Sequence, residues 1–193
     1  MQKYESVWLR ALCNDSGTEV GGVSILPLSC WHLFALESRR NRLVLDGAIP
    51  EACDAIDMLV VCSHSMSEGK ALLSNEAGYL LECENTVSRC GLDTPTMITR
   101  CLDYIKTSTV APDRFHSDAK RQAQGPHTWH IVRILCSEYA MKLHEAWDSR
   151  YMLGRAYFDI SQESRGGVDL VSDESIFKTM DALMRHRAGG GAK

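Results

Sequence analysis

Eight cysteines and seven histidines carry most of the raw chemistry of this 193-residue chain. Cys62-x-His64, with Cys83, Cys90 and Cys101 further on, offers soft ligands for zinc. Structural zinc sites draw on close ligand pairs such as C-x-x-C, and the chain has none. Cys30 and His32, two apart on one helix, point to different faces and cannot serve each other as nucleophile and base. His127, His130 or His144 would have to fold against Cys30 instead, at a site that favours the thiolate. His127-x-x-His130 sets two imidazoles one turn apart, a partial metal site with no third ligand at helical spacing. Asp54 with Asp57, and Asp169 with Asp173 and Glu174, lack the alternating ligands and glycine of a calcium loop. No G-x-G-x-x-G or G-x-x-x-x-G-K-[ST] loop occurs. The expectation is no catalytic residue, no metal ligand and no cofactor. Cys62 then reads as a small buried hydrophobe, the histidine pair as surface residues, and the carboxylates as caps and solvated faces.

Composition points the same way. At 45% hydrophobic and 24% charged, the chain has the make-up of a soluble globular protein. A net charge of −4 argues against nucleic acid, whose binders carry a basic stripe. Arg39-Arg40 and Arg185-His186-Arg187 are short and read as solvated helix ends. The start, M-Q-K-Y-E-S-V-W-L-R, has no apolar core of a signal peptide. The longest clean apolar run is five residues, too short for a membrane span. A cytoplasmic location is expected, with the cysteines as thiols.

The elements that must position these groups centre on Leu28 to His64. Ser29 is suited to cap a helix in which Cys30, Leu33 and Phe34 share a face and Glu37 follows. Arg39, Arg40 and Arg42 crowd its end, where cations suit the dipole. Asp46-Gly47 turns the chain, and Pro50 fits the first position of a second helix. Ala52, Ile56, Leu59, Val60 and Ser63 recur at helical spacing there. Met58 to Cys62 is apolar all round, which predicts burial on more than one side. Before this pair, Val7 to Leu12 reads as a short strand or helix. Gly21-Gly22 and Val23 to Leu26 suggest a small hairpin.

Downstream, residues 68–87 carry Ala71, Leu72, Ala77, Leu80, Leu81 and Val87, a helix with a break near Asn75 to Gly78. Ser88 to Asp93 is a loop. Thr94-Pro95 opens a helix with Met97, Ile98, Cys101, Leu102 and Ile105 on one face. His127 to Met141 is strongly helical, with Trp129, Val132, Cys136 and Tyr139 on one face and Ile131, Ile134 and Leu135 on another. Leu143 to Trp147 is a short turn of helix, and Asp148 to Ser164 follows. Gly166-Gly167 stops it. Ser172 or Asp173 caps a last helix with Ile176, Met180, Leu183 and Met184 as its stripe. Trp147, Tyr151 and Phe158 fall at i, i+4 and i+11 of helical spacing. That stripe reads either as core or as an aromatic anchor for a partner helix.

The fold class is therefore mainly α, a bundle of six or seven helices with a small β element at the N-terminus. Residues 1–106 form an N-terminal helical region with the central helix pair. Residues 107–126, rich in polar residues with two prolines and a glycine, form a linker or long loop. Residues 127–193 form a C-terminal helical region.

Four segments carry a resemblance. P-L-S-C-W-H-L-F-A-L-E (Pro27 to Glu37) and A-I-D-M-L-V-V-C-S (Ala55 to Ser63) are the first two. L-C-S-E-Y-A-M-K-L-H-E-A-W-D-S-R-Y-M-L-G-R-A-Y-F (Leu135 to Phe158) and D-L-V-S-D-E (Asp169 to Glu174) complete them. They resemble the tail assembly chaperones of long-tailed bacteriophages over about half the chain. Residues 66–126 match no such pattern, and the first helix runs on into S-R-R-N-R where a Ser-Pro-Phe-like segment is typical of the family. The resemblance implies a non-enzymatic protein of the host cytoplasm. Such proteins coat the long helical tape measure protein before the tail tube polymerises, and they are absent from the finished particle. The partner would be a helical structural protein, and neither nucleic acid nor membrane; contact with the tail tube protein and with other copies of the chain stays open. Two alternatives stay open from the residues: an intracellular Cys/His metal or thiol enzyme, and a structural virion or adaptor protein.

Overall fold

The computed structural model describes residues 17–45, 47–109, 114–116, 126–165 and 168–170. Among them are eight helices and two small antiparallel sheets, so the fold is mainly α with a β element near its N-terminal end. β1 (Thr18–Val20) and β2 (Val23–Ile25) form the hairpin, with Val20 opposite Val23. Gly21 and Gly22 take φ of +59° and +88°, as a two-residue turn between twisted strands requires. Val20, Val23 and Ile25 point into the core.

Ser29 caps α1 (Cys30–Ser38) as its position suggests, its hydroxyl accepting from the His32 amide. The helix ends where Arg40 turns left-handed at φ +56°. There the amides of Arg40 and Asn41 donate back to the carbonyls of Glu37 and Leu36, closing a Schellman turn. α2 (Ala52–Cys62) does not start at Pro50. Glu51 is the extended cap residue, and its amide donates to the Asp54 carboxylate at 2.8 Å, so Pro50 stands one residue outside the cap. Met58, Leu59, Val60, Val61 and Cys62 are all buried, because α2 packs against α1, β2 and two later helices.

Those later helices are α4 (Glu76–Arg89) and α5 (Thr94–Ser108), with α3 (Met66–Leu73) leading into α4. The break falls at Ser74 and Asn75, where the Asn75 side chain accepts from the Gly78 amide and starts α4 afresh. α6 (His127–Ser137), α7 (Leu143–Asp148) and α8 (Tyr151–Ser164) complete the set. α6 stops four residues short of Met141. Ala140 is left-handed at φ +54°, and the Met141 amide returns to the Leu135 carbonyl. α7 and α8 are two helices with an extended joint at Ser149 and Arg150. That joint pairs with the segment before α1: the Cys30 amide donates to the Ser149 carbonyl at 2.9 Å, and the Tyr151 amide to the Leu28 carbonyl at 2.8 Å. Capping α1 and continuing α7 into α8 compete for the same backbone groups, and the pairing wins.

One hydrophobic cluster includes Leu33, Leu36 and Leu59 together with Ile131, Leu135 and Tyr151, so the helices on both sides of residues 107–126 share a core. Within that stretch, β3 (Arg114–His116) pairs with β4 (Val168–Leu170). Most of the expected linker lies outside the described residues. So do Val7 to Leu12, Gly166-Gly167 and the expected last helix with Ile176, Met180, Leu183 and Met184.

Gly69 in α3 shows how closely this core is packed. A Cβ there would lie 2.0 Å from Cη2 of the buried Trp31 ring. Gly69→Ala should lower stability by about 2–3 kcal/mol, the cost of overpacking a rigid neighbour, measured as a fall in the urea midpoint. Trp31→Leu in the same chain should recover part of the loss. A wild-type midpoint for Gly69→Ala would show that the indole has room to move.

Candidate interaction surface

Among the described residues the nucleophilic and metal-binding side chains do not converge. Cys30, Cys62 and Cys101 are buried. Burial pushes the Cys30 and Cys101 thiols up to about 12 and raises that of Cys62 as well, away from the reactive thiolate. Cys30 sits beneath Gly154, where a Cβ would come within 3.1 Å of its sulfur. His127 turns to Arg155, whose Nη1 donates to its Nε2 at 2.7 Å. His144 is exposed. His130 keeps its Nε2 buried without a partner, apart from His127. Among the described residues no group of three His, Cys, Asp or Glu side chains could hold a metal ion. No helix among them is long and apolar enough to cross a membrane. Among the described cysteines, a thiol reagent applied to the native protein should therefore label the exposed Cys53 first. Cys30, Cys62 and Cys101 should react only as fast as the protein opens, a ranking that peptide mapping of the labelled chain reads directly. Rapid native labelling of Cys30 would contradict the burial argument.

Three polar clusters lock the helices to one another. In the first, His32 occupies the third position of α1 and is 3% exposed. Its Nδ1 accepts from the Ser29 amide at 3.0 Å, and its Nε2 donates to the His64 carbonyl beyond α2 at 2.8 Å. Those two bonds select the neutral tautomer with the proton on Nε2. Desolvation is the main force on the ring and lowers its pKa below the usual 6.5, against the pull of the His64 carbonyl. In the second, Asp57 of α2 accepts from Arg39 Nε at 2.7 Å, from Asn41 Nδ2 at 2.9 Å and from the Tyr79 hydroxyl. The Arg39 guanidinium also lies 4.5 Å from the centre of the Tyr79 ring, a cation–π contact. Arg39 is thus spent on holding α4, not on the dipole of α1 alone. In the third, Arg155 of α8 joins His127 of α6 through its Nη1, while its Nε donates within α8 to both oxygens of the fully buried Asp159, at 3.1 and 3.0 Å.

The aromatic stripe divides in the structure. Trp147 lies on α7 and Tyr151 on α8, both buried at 8% and 6% exposure. Phe158 is partly buried, with its ring edge-on to His127 at 5.2 Å. Two of the three expected anchors therefore face the interior, because the Ser149–Arg150 joint folds α7 back onto α1. Trp129, half-exposed, reaches the surface next to them and packs edge-on against Phe34 and Trp147 at 5.9 and 5.3 Å. Beside it runs an open apolar groove of about 760 Å³, with Val132, Arg133, Cys136 and Leu143 in its lining.

A second exposed surface lies on α4. Tyr79, Cys83 and Thr86 face inward, and Leu80, Leu81 and Val87 are each more than half exposed. Sequence spacing places Trp129 with Val132 and Cys136, and Leu80 with Val87. It does not say which apolar face a helix buries and which it leaves free. Compared with protein-family models, with curated proteins and with solved structures, the chain matches none.

Proposed function

We propose that this chain is a non-enzymatic tail assembly chaperone of a long-tailed bacteriophage, which binds the helical tape measure protein before the tail tube polymerises around it. The observation that carries this reading is how the resembling segments meet. Pro27 to Glu37 joins Leu135 to Phe158 through the paired bonds of Leu28, Cys30, Ser149 and Tyr151. The first segment also joins the end of the Ala55 to Ser63 helix through the bond from His32 to the His64 carbonyl. Segments scattered along the sequence thus form one packed unit. The burial of Cys30, Cys62 and Cys101 also favours a binding role over thiol chemistry. Large apolar side chains left at the surface, Ile49, Leu81 and Leu143 among them, supply the contact area that an amphipathic helix would need.

Co-expression with the tape measure protein of the same genome is the test. The chain should hold that long helical protein in solution and purify with it. A tape measure protein that aggregates equally with and without the chain would end the reading. Finding the chain in finished particles would replace it with a structural virion role.

A further inference from the structure

Two apolar surfaces find no cover among the described residues, and they differ in shape and in charge. The first is a ridge on α4. Ala77, Leu80, Glu84 and Val87 follow one another at spacings of three and four residues, with Leu81 alongside, and all are exposed. The second is the groove of α6 and α7, floored by Val132 and Cys136 and flanked by Trp129, Arg133 and Leu143. Glu84 is the charge within the ridge, with Glu76 near its start. Arg133 is the formal cation of the groove lining, which contains no carboxylate.

A single copy cannot match its own two surfaces. α4 packs on α2, α6 packs on α1, and α1 packs on α2, which leaves two helices between ridge and groove. Like surfaces of two copies do not suit each other either. Ridge against ridge would draw two Glu84 carboxylates into one apolar seam with no cation in it, and groove against groove would draw in two Arg133 guanidiniums. Charges brought out of water without a partner are strongly disfavoured. Ridge in groove pairs Glu84 with Arg133 and covers leucine with tryptophan and leucine.

We propose that the α4 ridge of one copy seats in the α6–α7 groove of a second copy, so that copies of this chain associate head to tail. This stands apart from the chaperone reading. A contact between unlike surfaces closes at two copies where a two-fold axis lets each ridge seat in the other's groove, and otherwise continues into a larger ring or an open row. One helix in one groove is a small interface, and the association is correspondingly weak, in the micromolar range.

Sedimentation of the full chain from low to several hundred micromolar tests this, with a variant of each surface. Leu81→Asp blocks the ridge and Leu143→Asp the groove. Both residues are exposed, and thermal unfolding checks that the variants fold. The average mass of the unaltered chain should rise with concentration to that of a dimer or beyond, and each variant alone should stay monomeric. An equal mixture of the two variants should form a dimer and stop there, because each supplies the surface that the other lacks. Arg133→Glu should weaken association at least about tenfold, and Glu84→Lys in the same chain should recover most of that loss. The proposal fails if the unaltered chain remains monomeric throughout. It fails equally if either variant alone still associates, or if their mixture does not.

Discussion

Replacing His32 with alanine should cost about 3–5 kcal/mol of unfolding free energy, a large share of what holds a domain of this size together. Two losses combine. The ring is buried and its removal leaves a cavity between the start of α1 and the end of α2. The Ser29 amide and the His64 carbonyl lose the partners they have at 3.0 and 2.8 Å. Capping boxes ordinarily place glutamate or glutamine at this third position. Histidine here does more, because its far nitrogen crosses to another helix. His32→Gln should accordingly lose less than His32→Ala. Its amide can still accept from Ser29, but it is too short to serve both partners in the same way. Chemical denaturation of the three proteins gives the comparison. Equal midpoints for alanine and histidine would show that the two bonds contribute nothing net.

The same residue makes stability depend on pH. The folded pKa is lowered from 6.5 by desolvation, so below 6.5 the unfolded chain takes up a proton that the folded ring refuses. The contribution is fully present above 6.5 and is lost as the pH falls toward the depressed folded value. Its slope approaches about 1.4 kcal/mol per pH unit. His32→Gln removes this part of the acid sensitivity, and the two stability–pH curves should converge as the pH falls.

How far the sequence reveals this architecture depends on the range of the forces at work. Ser29 declares a cap and Pro95 a first turn because both act within four residues. Gly21-Gly22 declares the hairpin for the same reason. Met58 to Cys62 declares a central helix because no face of it could remain in water. The joint at Ser149–Arg150 is legible only as a division after Trp147, since nothing in the local residues requires extended backbone there. It is imposed by backbone groups of Leu28 and Cys30, distant in sequence. Trp147 and Tyr151 are drawn inward by the same pairing, and the spacing of the stripe alone does not choose between core and anchor. α4 hides its orientation in another way. Its leucines suggest an inward face, but Tyr79 is held by Asp57 and Arg39, and that polar anchor turns Leu80 and Leu81 outward.

Asp159→Ala should be about as damaging as the loss of His32, at about 3–5 kcal/mol, because it strands the largely buried Arg155 guanidinium without its carboxylate. Arg155 is only 12% exposed and Asp159 not at all, so water cannot replace the missing partner. His127 does not rescue the charge. Its Nε2 already accepts from Arg155, which a protonated ring could not do. The cost of breaking the pair is nevertheless no measure of what the pair contributes. Both groups gave up hydration to enter the packing of α6 and α8, and their attraction offsets that loss. Arg155→Met combined with Asp159→Leu removes the attraction and the desolvation together. The double variant should unfold within about 1 kcal/mol of the unaltered protein, and it is predicted to be more stable than Asp159→Ala. A double variant as unstable as the single one would mean that the ion pair fixes the register of α6 on α8, beyond satisfying its own charges.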